Sequence, residues 1–277
     1  MVPGTSPPVR HDSAPGADTP APDTSARLGA QPASPSPDAA IDLLKQSLHQ
    51  NNAQNARLDE LLWAATFSSV TAKSTWLKDK SFAPGRWALG YPALYILYRI
   101  LNEKKPKHIL ELGMGQSTRM IAQYTRHYKK VEHTVVEHDP DWVAFCQKDC
   151  ALCERSSVVL LEREMVPFRE AASVRVFRDF ASAFRDQSFD FICIDAPLGG
   201  DMKDYARIDV LRLLPGILKK SFILLLDDYN RPGEQKTAAA MEAVLQSAKI
   251  AYTKGVYSGL KTTLILCSQD NRFFTSL

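Results

Sequence analysis

His108-Ile-Leu-Glu-Leu-Gly-Met-Gly-Gln-Ser-Thr118 runs an apolar stretch into a pair of glycines and then into two hydroxyl side chains. The apolar stretch reads as a strand. Without side chains at Gly113 and Gly115 the chain can turn tightly and a ligand can approach the backbone, while Ser117 or Thr118 can cap a following helix. This is the form of a nucleotide-binding turn. A dinucleotide fingerprint would require a third glycine at position 118, where Thr118 stands, and here an acid, Glu111, precedes the first glycine. Outward from this turn the chain alternates short apolar runs with helix-like stretches. HILELG (108–113), HTVVEHD (133–139), SVVLLERE (157–164), FDFICIDAP (189–197), SFILLLDDY (221–229) and TTLILC (262–267) are strand-like, each an apolar core ending in charge, Gly, Pro or a polar residue. Strands alternating with helices predict an α/β fold, a Rossmann-like doubly wound sheet, mostly parallel. Ligands of such sheets bind beyond the carboxyl ends of the strands. Glu111, Glu137, Asp195, Asp227 and Asp228 all fall there.

Thr134-Val-Val-Glu137 places a carboxylate 24 residues after Gly113, at the end of the neighbouring strand, where it can accept both hydroxyls of a ribose. The combination E-L-G-x-G-x-S-T from Glu111 to Thr118 resembles the first motif of class I S-adenosylmethionine-dependent methyltransferases, and the matching stretch runs from about Lys107 to Cys267. The resemblance implies that Glu137 holds the cofactor ribose, with Asp139 as the substitute. It places the cofactor's amino contact near Glu111 and the Gly113 backbone, with Gly115, Ser117, Thr118, His138 and Asp195 completing the cofactor site. VEHDPDW, FDFICIDAP, DYARIDVLRLLP and LLLDDYNRPGE together look like a bacterial-type group linked to polysaccharide or glycan modification. The three cysteines after Trp142 and a long Pro/Ala-rich tail depart from the usual pattern.

Methyl transfer to a hydroxyl is a displacement at carbon. The acceptor must be aligned, and its proton must be removed by a base or made more acidic by a metal. Asp195, Asp227 and Asp228 are the catalytic candidates. Three hard oxygen ligands near one point also suit Mg, Mn or Ca. Catechol-type O-methyltransferases bind a divalent ion through one Asp after the fourth strand and an Asp-Asn pair after the fifth; Asp195 and Asp227 match by position, while Asp228 replaces the amide. Tyr205, Arg207, Tyr229, Asn230 and Arg231 are the acceptor-site candidates, offering hydroxyl, amide and guanidinium groups suited to a sugar or an acidic substituent. Arg207 or Arg231 could equally serve to neutralise Asp227 or Asp228. His108 and His133 each precede a strand and need no special role.

Cys146-Gln-Lys-Asp-Cys150-Ala-Leu-Cys153 has the C-x3-C-x2-C spacing of radical S-adenosylmethionine enzymes. Its context differs, because Pro140 to Glu154 reads as the helix after the second strand. Spacings of four and three then put all three sulfurs on one helix face, packed against the sheet.

The chain has 277 residues with 34 Lys+Arg and 31 Asp+Glu. Residues 1–40 hold nine of the 17 prolines and no Lys, Phe, Tyr or Trp, a composition that predicts a disordered tail. They also lack the apolar run of a secretory signal. With the tail's two arginines and four aspartates set aside, the remainder carries +5, mildly basic and no nucleic-acid signature. No stretch is long and apolar enough to span a bilayer, and five cysteines crowded into one part of the chain do not look like a secreted disulfide framework. The expected location is cytoplasmic. Ile41, Leu44, Leu48, Leu58 and Leu62 recur at helical spacing, with Asn51 and Asn55 between them, which predicts one or two amphipathic helices. They would form either an arm for homo-oligomerisation or a cover on the main domain. The expected layout is a tail over 1–40, a helical extension over 41–106 with a second helical block from Tyr91 to Asn102, and a methyltransferase domain over 107–277. The expected activity is O-methylation of a sugar or glycan hydroxyl. The alternatives are a metal-dependent catechol-like enzyme acting on a small molecule, or a non-catalytic scaffold that binds the nucleoside.

Overall fold

The computed structural model describes residues 36–83 and 88–277, so the expected disordered tail and the turn at Gly85 lie outside the described residues except at the tail's last few positions. Those positions correct the boundary, because helix begins at Pro37 rather than Ile41. It continues as one helix, α1 (Pro37–Thr71). The chain divides into one unit ending at Lys45 and a second from Gln46 to Leu277. In the second unit follow α2 (Tyr91–Arg99), extended by a π-helical turn over Ile100–Lys104, β1 (His108–Leu112), α3 (Gln116–His127), β2 (Glu132–Glu137) and α4 (Pro140–Asp149). Then come β3 (Ser156–Leu160), β4 (Arg163–Phe168), β5 (Ala171–Phe177), α5 (Phe180–Phe184), β6 (Phe189–Ile194), β7 (Leu218–Leu226), α6 (Pro232–Ser247), β8 (Tyr252–Ser258) and β9 (Thr262–Ser268).

Seven strands form the central sheet in the order β3-β2-β1-β6-β7-β9-β8. The first five in this order are parallel, while β9 runs antiparallel to both β7 and β8. This is the expected Rossmann-like sheet. Both faces are covered, and the strand alternation shows how. Ile109, Phe191, Cys193, Ile223 and Leu225 pack on one side with Leu94, Leu97, Met120 and Tyr124 from α2 and α3. Leu110, Leu112, Ile192, Ile194, Leu224 and Leu226 pack on the other with Phe180, Met241 and Leu245 from α5 and α6. A period of two with both sets buried is what a sheet between two helical layers requires.

Three strands were absent from the sequence reading. β4 and β5 form a separate antiparallel hairpin that starts at the end of the SVVLLERE run and continues through residues where no strand was expected. β8, YTKGVYS, is an edge strand whose outward positions are polar or exposed, and Gly255 at its centre lets the backbone at Thr275 pass within 2.6 Å of where a Cβ would stand. The cysteine reading is also corrected. α4 stops at Asp149, with Cys150 as its cap and Cys153 beyond it, so the three sulfurs do not share a helix face. Among the described residues they form no metal-holding group. Burial pushes the Cys146 and Cys150 thiols up to about 11, which disfavours thiolate at neutral pH.

Candidate active site

Strand order reverses between β1 and β6, and a cavity of about 420 Å³ opens beyond their carboxyl ends. On the β1 side it is walled by Gly113 to Ser117, Glu137, His138 and Trp142, and on the other by Asp195 to Leu198, Arg207, Asp228, Arg231 and Lys261. Backbone hydrogen bonds carry the sheet one residue past the strands and so fix these positions. Gly113 N donates to Val136 O at 2.9 Å, Asp195 N to Leu112 O at 3.0 Å and Asp227 N to Ile194 O at 3.1 Å.

Gly113 has φ +95°, and a Cβ there would stand 2.9 Å from Ala196 Cβ, so both conformation and space demand glycine. Gly115 differs, because a Cβ on it would meet nothing within 4 Å. Gly115 is part of the cavity lining. Thr118 Oγ1 accepts from Gly115 N at 2.9 Å and closes the turn onto α3. Thr118 is buried and does not line the cavity, whereas Ser117 does.

Glu137 is 5% exposed, and its carboxylate is held by backbone donors on both sides. Oε2 accepts from Met114 N at 3.1 Å, and Oε1 accepts from His138 N at 2.7 Å and Asp139 N at 3.3 Å. His138 Nδ1 lies 2.6 Å from the same Oε1. The carboxylate is thereby locked in one orientation at the cavity wall. Asp139 has another task, accepting from Asp141 N and Trp142 N as the N-cap of α4. Trp142, which the sequence reading left without a role, donates Nε1–H to Met114 O at 2.8 Å and sets its ring against the glycine loop. Its signal was its position at the start of the helix that follows Glu137.

Glu111 stands apart from this cluster. It shares a sheet face with Ile109, fully buried, and its Oε2 is 3.0 Å from His133 Nε2 while Oε1 has no partner. His133 Nδ1 is 3.3 Å from Ser156 Oγ, so Nε2–H donating to Glu111 and Nδ1 accepting from Ser156 satisfies both bonds. His133, expected to have no special role, is therefore the buried partner of Glu111.

Asp195, Asp227 and Asp228 converge, each offering an oxygen within 4.8 Å of the others. Arg207, 3% exposed, is set among them. Its Nη2 donates to Asp228 Oδ2 at 2.8 Å and lies 3.1 Å from Asp195 Oδ1, while Nη1 donates to Asp227 O at 3.0 Å. Arg231 Nη1 is also 2.8 Å from Asp228 Oδ2, at an angle that makes an ion pair without a hydrogen bond. Asp227 accepts from Thr263 Oγ1 at 3.1 Å and from Lys261 Nζ at 3.4 Å. Burial first, and then the charge of Asp227, push Asp195 up to about 8; burial raises Asp227 as well. Burial alone would lower Arg207, but Asp195, Asp228 and Asp227 outweigh it and raise it.

Of the acceptor candidates, Arg207 and Arg231 line the cavity. Tyr205 donates instead to Glu170 Oε1 at 3.0 Å, Tyr229 packs against the apolar core with Lys254 over its ring, and Asn230 is exposed outside the cavity lining. Gln116, Arg163, Lys261 and Leu89 line the cavity without having been anticipated.

No helix among the described residues is long and apolar enough to cross a membrane. No protein-family model matches the sequence, and no curated protein matches it. Solved structures are similar in fold at low identity. The O-methyltransferase TomG from Streptomyces achromogenes, in complex with SAM, is 14% identical over 76% of this chain and 98% of its own, with a TM-score of 0.48. The O-methyltransferase from Bacillus cereus, in complex with SAH, is 13% identical over 76% and 91%, with a TM-score of 0.47. The SAH-bound Podospora anserina methyltransferase PaMTH1 is 15% identical over 87% of this chain and 100% of its own, with a TM-score of 0.42.

Proposed function

We propose that this chain is an S-adenosylmethionine-dependent O-methyltransferase whose acceptor is a sugar or glycan hydroxyl. The observation that carries the reading is the pairing, across one cavity, of a nucleoside-type wall (Gly113, Gly115 and the fixed Glu137 carboxylate) with a carboxyl–guanidinium cluster (Asp195, Asp228 and Arg207). When bound, S-adenosylmethionine supplies an electrophilic methyl group on its sulfonium. Glu137 would accept the ribose hydroxyls, and the open side of Gly115 would admit the nucleoside. Asp195 stands at the cavity and would be the base that takes the acceptor hydroxyl's proton; its raised pKa suits a proton acceptor working near neutral pH. Arg207 positions Asp195 and, with Arg231, offers N–H groups to the acceptor.

The three carboxylates do not fit a divalent ion well, since each already faces a protein cation: Arg207 at Asp195 and Asp228, Lys261 at Asp227, Arg231 at Asp228. A metal of charge +2 would have to displace them. Their convergence within 4.8 Å nevertheless supports a second reading, a metal-dependent catechol-like enzyme with a small-molecule acceptor. Labelled S-adenosylmethionine incubated with the protein and glycan fractions, with and without chelator, separates the two. Label in glycan that persists in chelator is expected. Transfer only to small catechols, lost in chelator and restored by Mg or Mn, would establish the second reading, and binding with no transfer to any acceptor would leave a scaffold.

A further inference from the structure

α1 carries two different faces. Glu60, Trp63, Phe67 and Thr71 turn inward. Glu60 Oε1 accepts from Tyr91 N at 2.6 Å and its Oε2 from Leu260 N at 2.9 Å, Trp63 Nε1 donates to Ser258 O at 2.9 Å, and Phe67 is in the core. The other face is a heptad seam. Ile41, Leu48, Asn55 and Leu62 occupy its a positions, and Leu44, Asn51, Leu58 and Ala65 its d positions. Leu44, Leu48, Leu58 and Leu62 are each 58–70% exposed. A seam of this kind along one helix is half of a coiled coil.

We propose that this seam pairs with the same seam of a second copy of the chain, the two helices running antiparallel about a twofold axis at Ala53. The residue order supports the partner and the direction together. With the axis at Ala53, Leu44 meets Leu62 of the second copy, Leu48 meets Leu58, and Asn51 meets Asn55, so that every polar layer faces a polar layer and every leucine a leucine. A parallel pair would also match like with like, because each residue would then face its own copy. The flanking charges decide between them. Antiparallel helices bring e positions against e positions, and here these are Lys45, Asn52 and Asp59. Lys45 then meets Asp59 of the second copy, twice by symmetry, with Asn52 against Asn52 at the centre. A parallel pair would bring g to e, setting Ser47 on Asn52 and Gln54 on Asp59, with no opposite charges. Lys45 is free to do this, since its 3.7 Å pair with Asp42 joins two side chains more than 70% exposed. The two central asparagines make the association moderate in strength and specific in register.

Sedimentation of the full chain from 1 to 100 µM tests the pairing. A dimer is expected, and L48E/L58E is expected to weaken it at least about 50-fold without changing the melting temperature, because both leucines are exposed in the single chain. Asp59→Lys should weaken it about tenfold and K45D/D59K should restore it, two rim pairs being lost and regained. Oxidising a mixture of Leu44→Cys and Leu62→Cys chains should give the mixed disulfide, with little product from either alone. A monomer at 100 µM, a dimer indifferent to L48E/L58E, or Leu44→Cys linking to itself would each overturn the proposal, as would a seam found covered by the chain's own first 35 residues.

Discussion

Glu137 and Asp209 are both buried carboxyls, and they differ in how many donors hold them. Glu137 has three backbone N–H donors on its two oxygens. Asp209 has one, from Phe177 N at 2.8 Å to Oδ1, while Oδ2 has none, and burial pushes the group up to about 7. A value raised above that of the unfolded chain means that the contribution to stability is complete below about 4 and is lost as pH rises toward 7. Asp209→Asn should therefore gain on the parent by up to roughly 1.4 kcal/mol per pH unit between 4 and 7, with no further gain above. Denaturant titrations across that range check it, and a pH-independent difference would contradict it. At Asp195 the sign concerns activity. A base must be ionised, so turnover should rise through about pH 8, and Asp195→Asn should lose at least about 100-fold with the pH dependence gone. A pH–rate profile of both proteins reads this. The sequence already pointed to Gly113, Glu137 and Asp195, because acids and glycines at strand ends need no tertiary information to be noticed. It did not reveal the engagement of Glu111 by His133, which depends on two neighbouring strands being in register, His133 against Ile109.

At the scale of elements, two contacts between distant segments hold the site's walls. Gly199, in the loop after β6, leaves no room for a side chain, since a Cβ would fall on Glu234 Oε1 and 2.8 Å from Ala206 Cβ. Gly199→Ala should push this wall outward, costing about 1–3 kcal/mol of stability, and weaken acceptor binding more than nucleoside binding; thermal melts and separate titrations of the two ligands would show the split. Glu60 ties α1 to the start of α2 and to the β8–β9 turn at once. Glu60→Ala removes two hydrogen bonds from a carboxylate to partly buried N–H groups and should cost about 2–4 kcal/mol, seen as early hydrogen exchange at Tyr91 and Leu260. The central strands were legible as apolar runs because both of their faces are buried. β8 was not, since an edge strand with solvent on one side keeps Lys254 and Ser258 and gains its place only through β9 and the Thr275 backbone. The β4–β5 hairpin was hidden for a related reason: Arg163 and Glu164 open β4 at the end of the run that holds β3, and Pro167, Ala172 and Ser173 at exposed positions interrupt its apolar pattern.

At the scale of the whole molecule, the sheet's reversal point, the glycine turn and three of the acidic strand ends, Glu137, Asp195 and Asp228, meet at one cavity, and that convergence is what the sequence implied but could not place. The mild positive charge of the folded part acquires a location in the same way, because Arg163, Arg207, Arg231 and Lys261 all border the cavity. The last three offset its carboxylates. The claim on which the rest depends is that the β1 side of this cavity holds a nucleoside through Glu137. Calorimetric titration of S-adenosylhomocysteine into the parent protein and into Glu137→Ala tests it most directly. Micromolar binding that weakens about 100-fold in the variant, at unchanged melting temperature, is the result this account predicts; no binding to the parent protein, or equal binding to both, would contradict it.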